Sequence, residues 1–154
     1  MEGNPIFSLL LGMKNSLLLI GFALLLSNLG LSQNIDFTIS GIRSKNGTIR
    51  LAFYTSAKNF EDEKPFMTKT VQKTNLKNGT LTVSYTGLTA GLYGVALLDD
   101  ENSNREMDYG LMLPKEGFGF SDYYHSGMSR PTFDLFDFYL KNETKNIRIK
   151  VRYM

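Results

Sequence analysis

The fold is decided by a short apolar stretch in the middle of the chain, Leu92-Tyr93-Gly94-Val95-Ala96-Leu97-Leu98. A strand that is apolar at nearly every position is typical of a sheet whose two faces are both covered by other parts of the protein. Gly94 within this strand indicates that a neighbouring backbone approaches closely there. We therefore predict that residues 92–98 form the central strand of the fold.

Alternating apolar and polar residues predict further strands, because successive side chains of a strand point to opposite faces. The alternation is strict over residues 35–42 and 48–54, and the Asn46-Gly47 turn between them predicts that these two strands form a hairpin. A charged excursion around Phe60, residues 56–65, is expected to carry one helical turn. In chain order, the predicted strands are residues 35–42, 48–54, 66–74, 80–85, 92–98, 131–140 and 147–153.

This pattern predicts a single all-β domain. About seven strands separated by turn residues, without an amphipathic helix, are typical of an antiparallel β-sandwich. Cys is absent from the chain, so stability must come from the core or from a bound metal rather than from disulfides. We therefore predict one antiparallel β-sandwich over residues 33–154.

The first 32 residues have the pattern of a signal peptide. Lys14 is followed by the apolar run Leu17–Leu26, which is too short to span a bilayer. Small residues come next, which suits cleavage just before Gln33, and Met13 is an alternative start of the chain. Cleavage would leave a domain without a membrane span, in the periplasm or outside the cell. An uncleaved N-terminal anchor is the alternative.

The formal net charge is +2 at pH 7, and the basic residues are scattered along the chain. Arg148, Lys150 and Arg152 alternate near its end, which places them on one face of a strand, most simply the solvated face. A nucleic-acid surface would need a larger cluster of positive charge. We therefore expect no nucleic-acid partner.

A polar segment directly after the central strand carries the one chemically specific signal in the sequence. Asp100, Asn102, Asn104 and Asp108 place oxygen-bearing side chains along a short loop, and Glu106 would add its backbone carbonyl. Ca²⁺ takes about 6–8 oxygen ligands. The spacing matches the first half of an EF-hand loop, without its final glutamate and its flanking helices. We predict a weak Ca²⁺ site at these residues; the alternative is a solvated loop whose side chains bond the local backbone.

Three motifs follow one another across this region: Gly91–Tyr93, the loop Asp100–Asp108 and the segment Pro114–Ser121. Together with Arg130–Phe133 they resemble the DUF2141 family of exported bacterial proteins. The resemblance implies a signal peptide and a transthyretin-like β-sandwich, and it implies no established activity. The chain departs from the family pattern at Arg105, where members usually carry Gly, a residue that adopts positive φ at little cost.

A non-catalytic accessory or binding module is the favoured function, because the sequence contains no assembled catalytic set. The alternative is a hydrolase that acts on a cell-envelope or carbohydrate substrate, with Asp99, Asp100 or Glu116 as acid or base. Glycoside hydrolysis requires two carboxyl groups about 5–10 Å apart across a cleft. A structure without such a cleft would therefore remove the support for the hydrolase.

His125 is the only histidine and lies close in sequence to Ser121 and Asp122. A Ser-His-Asp triad needs three groups that the fold brings together, and adjacency in sequence does not provide that geometry. We therefore expect His125 to be a surface residue of a loop. A zinc site is not expected, because the chain has one His and no Cys.

Four aromatic residues lie in and after the Gly-rich segment. We expect them to plug one end of the sandwich, because each aromatic side chain can bury a large apolar area. The alternative is a platform for a ligand such as a sugar or a peptide. The partner is expected to be a protein or a polysaccharide of the cell envelope. The aromatic residues are Phe118, Phe120, Tyr123 and Tyr124.

Overall fold

The structure is a computed structural model, and it describes residues 33–154 of the chain. The predicted signal peptide, residues 1–32, lies outside the described residues, and its cleavage stays a prediction. Within residues 33–154 no helix is long and apolar enough to cross a membrane.

Strands dominate the described part of the chain. One short helix, α1 (Ala57–Glu61), lies where one helical turn is predicted. It begins at Ser56, whose side chain accepts the backbone N–H of Asn59 at 3.2 Å. The strands are β1 (Gln33–Ser40), β2 (Thr48–Tyr54), β3 (Met67–Gln72), β4 (Thr80–Leu88), β5 (Gly91–Asp100), β6 (Gly117–Phe120), β7 (Asp137–Leu140) and β8 (Lys145–Lys150).

The strands form two sheets. One sheet has three strands in the order β4-β1-β8, and the other has five, in the order β3-β2-β5-β6 with β7 also paired to β5. The central strand is therefore β5, as predicted. The predicted β-sandwich is confirmed, with eight strands rather than seven. The pair β1–β8 is parallel, whereas all other pairs between these strands are antiparallel.

The additional strand is β6, within the Gly-rich segment Gly117–Phe120. Glycine lowers strand propensity, so the sequence pattern indicates no strand there. A Cβ at Gly117 would lie 2.5 Å from side-chain atoms of Val151 and Tyr153. Glycine therefore allows β6 to pack closely against the end of the chain.

The two sheets enclose a core of large apolar side chains that alternate along their strands. Fully burying one such side chain stabilises the fold by about 1.5–3 kcal/mol. The three-stranded sheet contributes Ile35, Phe37, Ile39, Leu81, Ile147 and Ile149, and the five-stranded sheet contributes Ile49, Leu51, Phe53, Tyr93, Val95 and Leu97.

The predicted hairpin between the first two strands is wrong. β1 pairs with β4 and β8, whereas β2 pairs with β3 and β5, so the Asn46-Gly47 turn carries the chain from one sheet to the other. A two-residue hairpin turn of type I′ needs positive φ at both central residues. Here Gly47 has φ 67°, and Asn46 is not in the positive region. Glycine is required at position 47 because a Cβ would clash with the backbone of Asp100 and Glu101.

A second, aromatic core covers part of the outer face of the five-stranded sheet. At Gly94 a Cβ would lie 2.6 and 2.7 Å from the rings of Phe133 and Phe136. The close neighbour of this glycine is therefore a pair of aromatic side chains, and not the backbone that the sequence predicts. The buried members of this cluster are Tyr54, Phe60, Phe120, Phe133 and Phe136.

Candidate functional site

The polar loop, residues 101–116, connects β5 to β6 and is anchored by the last residue of β5. Asp100 is fully buried. Its Oδ1 accepts the backbone N–H of Asn104 at 3.1 Å, and its Oδ2 accepts that of Arg105 at 3.0 Å. Asp and Asn side chains commonly bond the backbone of a turn in this way. The carboxylate of Asp100 therefore fixes the first turn of the loop.

The remaining predicted calcium ligands lie together within the same turn. The Oδ1 atoms of Asn102 and Asn104 accept backbone N–H groups of the loop at 2.9 and 2.8 Å. The side-chain amide of Asn102 donates to Asp108, and that of Asn104 donates to the same carboxylate at 3.2 Å. The structure thus brings Asp100, Asn102, Asn104 and Asp108 together, with exposed Glu106 between the last two.

The donor set fits a hard cation in part. Each oxygen that accepts one N–H keeps a second lone pair, and two of the four side chains carry a negative charge. Within residues 33–154, however, no group of three or more His, Asp or Glu side chains is positioned to hold a metal ion. Both amide groups would have to turn their oxygens towards the cation. The calcium site stays a prediction, because hydrogen bonds also satisfy these groups.

The loop needs an unusual backbone conformation at Arg105. This residue has φ 72°, in the left-handed region, and Ser103 has φ 62°. Arg105 is the position at which the resemblance described above implies Gly. A residue with a Cβ in this region costs about 1–2 kcal/mol relative to its usual conformations.

Glu116 closes the loop at its other end. The side chain is 4 % exposed, and its Oε1 accepts the backbone N–H of Glu101 at 2.9 Å. Its Oε2 accepts the N–H of Asp108 at 3.3 Å. One buried carboxylate therefore ties the beginning and the middle of the loop to β6.

A buried ion pair lies beneath the loop, on the inner side of β5. Lys73 pairs with Asp99, and both side chains are almost completely buried. Lys73 also donates to the carbonyl oxygen of Asn46 at 2.6 Å, and the hydroxyl of Tyr153 donates to Asp99. Burial is the larger cause that raises the pKa of Tyr153 above its ordinary value, and the hydrogen bond to Asp99 raises this pKa further. The sequence gives no sign that Lys73 is buried, since nothing in its local pattern distinguishes it from a surface lysine.

Arg43 links Tyr153 to the first residue of the polar loop, Glu101. Its guanidinium forms two hydrogen bonds to the carboxylate of Glu101, at 3.1 and 2.5 Å, and lies 4.2 Å from the centre of the Tyr153 ring. The hydrogen bond raises the pKa of Arg43 and lowers the pKa of Glu101. Both side chains are partly exposed, so this pair contributes little, about 0–1 kcal/mol.

A groove of about 550 Å³ lies on the outer face of the five-stranded sheet; we call it the outer groove. Its floor consists of outward-facing residues of β2 and β5: Arg50, Ala52, Ala96 and Leu98, all half-buried. Ala52 and Ala96 are direct partners across the two strands. Because both side chains are small, they leave a shallow strip between the aromatic core and the polar loop.

The walls of the outer groove are long, flexible side chains, most of them apolar. The polar loop contributes Met107, Met112 and Leu113, and the segment before β7 contributes Met128 and Arg130. Met112 and Met128 are 89 % and 76 % exposed. Methionine adapts its shape to a partner more readily than other apolar residues do, so these walls suit a ligand with an apolar body.

The four aromatic residues of the Gly-rich region have separate places. Phe118 and Phe120 line the outer groove, with Phe120 buried in the aromatic core. Tyr123 is half-buried against the same core. Tyr124 is 49 % exposed, and the ammonium group of Lys150 lies 5.0 Å from the centre of its ring. Three of them, Phe118, Phe120 and Tyr123, therefore pack in or against the aromatic core, whereas Tyr124 lies beside β8 of the other sheet.

The prediction that His125 is a surface residue is wrong. It is 9 % exposed, because it packs against the rings of Phe118 and Phe120, with centroids 6.3 and 6.0 Å away. Ser121 donates to the carbonyl of Phe136 at 2.6 Å. Asp122 accepts the backbone N–H of Arg148 at 2.8 Å. The neighbours of His125 in sequence are thus engaged elsewhere, and His125 itself lines the outer groove.

Comparison with known families gives one match. The model of a family described as an uncharacterized protein conserved in bacteria, DUF2141, matches residues 37–148. These residues include the central strand, the polar loop and most of the groove lining. Neither a comparison with curated proteins nor one with solved structures found a match.

Proposed function

The chain belongs to the DUF2141 family, and we propose that it is an exported, non-catalytic module that binds a component of the cell envelope in the outer groove. The groove itself carries the proposal. Its volume of about 550 Å³ lies within the range of about 300–1,000 Å³ typical of small-molecule sites. Its lining combines methionine and aromatic side chains with a few polar groups, which is the usual composition of such sites.

Export is supported by Lys14 and the apolar run Leu17–Leu26, the order of charge and apolar residues found in signal peptides. We expect protein recovered from the periplasm or the medium to begin at Gln33 when its mass is measured. A recovered protein with an intact N-terminus would contradict cleavage.

We also propose that the sandwich is of the transthyretin-like type, as the family resemblance implies. The three-stranded and five-stranded sheets and the shared core between them are compatible with that assignment. An experimental structure of residues 33–154, superposed on transthyretin-like domains, would test it. A different strand order in the superposition would overturn it.

A non-catalytic role is supported by the state of the three candidate carboxylates. Asp99, Asp100 and Glu116 are 0–4 % exposed. Asp99 is bound to Lys73 and Tyr153, and the other two accept backbone N–H groups. A general acid or base must reach its substrate within hydrogen-bond distance, and these oxygens are directed into the protein. No observation therefore favours the hydrolase.

We propose that Ca²⁺ stabilises the polar loop, bound by the side chains of Asp100, Asn102, Asn104 and Asp108 and the carbonyl of Glu106. A cation there would hold the wall of the outer groove that Met112 and Leu113 provide. Weak sites, with Kd of about 10⁻⁴–10⁻³ M, suffice for extracellular modules.

A binding experiment with envelope fractions tests the function. Immobilised residues 33–154 would be exposed to polysaccharide and protein fractions of the cell envelope, alongside two matched variants. Ala96→Phe fills the groove floor, whereas Ala90→Phe adds the same side chain at an exposed turn. We expect the wild type and Ala90→Phe to retain the ligand and Ala96→Phe to lose it. Equal retention by all three would show that the groove is not the site.

A further inference from the structure

Two buried side-chain nitrogens point to the chemistry of the groove ligand. Within residues 33–154, Nε of Arg50 and Nδ1 of His125 are buried without a hydrogen-bond partner, and both residues line the outer groove. Nε of arginine can only donate, and an unsatisfied buried donor costs about 1–3 kcal/mol. An acceptor that a ligand brings to this end of the groove would remove that cost once the Arg50 guanidinium turns its Nε–H towards the groove.

The charges of the lining favour an anionic acceptor. The charged side chains are three arginines and one carboxylate, Glu63, which lies 3.0 Å from Arg130 and neutralises it. Arg50 and Arg105 form no ion pair within the described residues. Arg50 donates to the carbonyl of Arg105, which holds its guanidinium against the polar loop. Two guanidinium groups on one side of a groove suit a carboxylate, which they bind through paired N–H donors.

The position of the groove on a sheet face favours an aliphatic body over a peptide. The backbone groups of β2 and β5 are used in pairing with β3, with each other and with β6. An extended peptide gains affinity from main-chain hydrogen bonds to a free sheet edge, which this face does not offer. The strip along Ala52 and Ala96, bordered by Met112 and Met128, offers apolar contact alone.

We propose that the outer groove binds a long-chain aliphatic carboxylate. The carboxylate lies at Arg50 and Arg105, and the chain follows the Ala52–Ala96 strip towards Tyr54. This assignment deepens the proposed function and rests on it, because it names the chemical class of the envelope component that the groove takes.

Titration calorimetry with residues 33–154 tests the proposal, with decanoate, 1-decanol and butanoate as probes below any micelle concentration. We expect decanoate to bind once per chain. Decanol lacks the charge and should bind at least about tenfold more weakly, since a charge-assisted hydrogen bond contributes about 1.5–3 kcal/mol. Butanoate lacks the long chain and should show no measurable binding.

Variants separate the two ends of the site. Arg50→Gln and Arg105→Gln should each weaken decanoate binding about tenfold and leave decanol unchanged, whereas Ala96→Phe should abolish both. Arg148→Gln removes an exposed charge outside the groove and should change nothing. The side chain of Arg105 is exposed, so its variant tests the headgroup site even if Arg50→Gln does not fold.

Two outcomes would overturn the proposal. One is no decanoate binding by the folded wild type; the other is decanoate binding that neither arginine variant weakens. If decanoate fails but envelope fractions are retained and Ala96→Phe releases them, the ligand class is wrong and the binding function stands. If both experiments fail, the proposed function falls as well.

Discussion

The two faces of β5 differ in how completely the space around their side chains is filled. Its inner face presents Val95 and Leu97, which are buried in the closed core between the sheets. Its outer face presents Ala96 and Leu98, which are half-buried and line a groove. Both faces are apolar, but the inner side chains fill their space and the outer ones leave it open. Stability therefore depends chiefly on the inner face of this strand, and the proposed binding uses the outer face.

The two aspartates at the end of β5 also lie on opposite faces of the strand. Asp99 faces inwards, where Lys73 neutralises its charge. Asp100 faces the polar loop, where the backbone N–H groups of Asn104 and Arg105 bind it. Both carboxylates are fully buried, so one depends on a cation and the other on hydrogen bonds. Changes on the two faces should therefore differ in size and in kind.

The largest expected effect is on the inner face, from Lys73→Met. This change leaves the carboxylate of Asp99 buried without its cation, which typically costs about 3–5 kcal/mol. The free energy of unfolding in urea measures the loss. The double variant Lys73→Met, Asp99→Asn should regain a large part of it, because the uncompensated charge is gone. A single variant as stable as the wild type would show that the ion pair is dispensable.

Truncation of neighbouring leucines compares the two faces directly. Leu97→Ala opens a cavity in the closed core and should cost about 2–5 kcal/mol. Leu98→Ala enlarges a groove that solvent already enters, and it should cost about 1 kcal/mol or less. Urea unfolding of both variants gives the difference. Equal losses would mean that the outer groove is packed as tightly as the core.

The strands and core residues on the inner face of the five-stranded sheet could be predicted from the sequence, whereas the structure on its outer face could be predicted only in part. β2 has the bounds of its alternating segment, residues 48–54, because period-two patterning reports a half-buried strand directly. β6 was not predicted because its two glycines, Gly117 and Gly119, lower the strand propensity of the segment. These glycines allow close packing against residues near the end of the chain, and contacts between residues distant in sequence leave no local pattern. The predicted hairpin of β1 and β2 was wrong for a similar reason: the sequence of a turn does not show which sheet the following strand joins.

The candidate site shows the same limit. The spacing of Asp100, Asn102, Asn104 and Asp108 predicted that these side chains would meet, because they lie within one short loop. Arg50 lies on β2 and Lys73 directly follows β3, and the residues next to them in sequence do not indicate that they reach this region. The burial of His125 likewise follows from aromatic residues that the fold brings around it.

Calcium should stabilise the outer side of β5 by a smaller amount than the inner changes remove. At ten times its Kd, a ligand adds about 1.4 kcal/mol, which corresponds to a rise in Tm of about 4–8 °C for a domain of this size. A thermal melt with excess Ca²⁺ against EGTA measures it. Asp108→Asn keeps the hydrogen-bond acceptor but removes the charge, so its shift should be smaller.

A wild-type melt that does not move with Ca²⁺ would mean that hydrogen bonds alone hold the polar loop. A shift of equal size in Asp108→Asn would place the ion elsewhere in the protein. Mg²⁺ is the matched control, because its smaller size and strict octahedral geometry suit a flexible loop of mixed ligands poorly. An equal response to both ions would point to general screening of charge.

The smallest expected effect is a gain, from Arg105→Gly. Arg105 has φ 72°, and glycine removes the cost of a Cβ there while adding entropy to the unfolded chain. The balance should stabilise the protein by about 0.5–1 kcal/mol, measured by urea unfolding without ligand. Arg105→Ala is the control, because it removes the charge but keeps the Cβ and should gain nothing. If the two variants were equally stable, charge rather than backbone conformation would explain the gain, and the left-handed turn would not limit the loop.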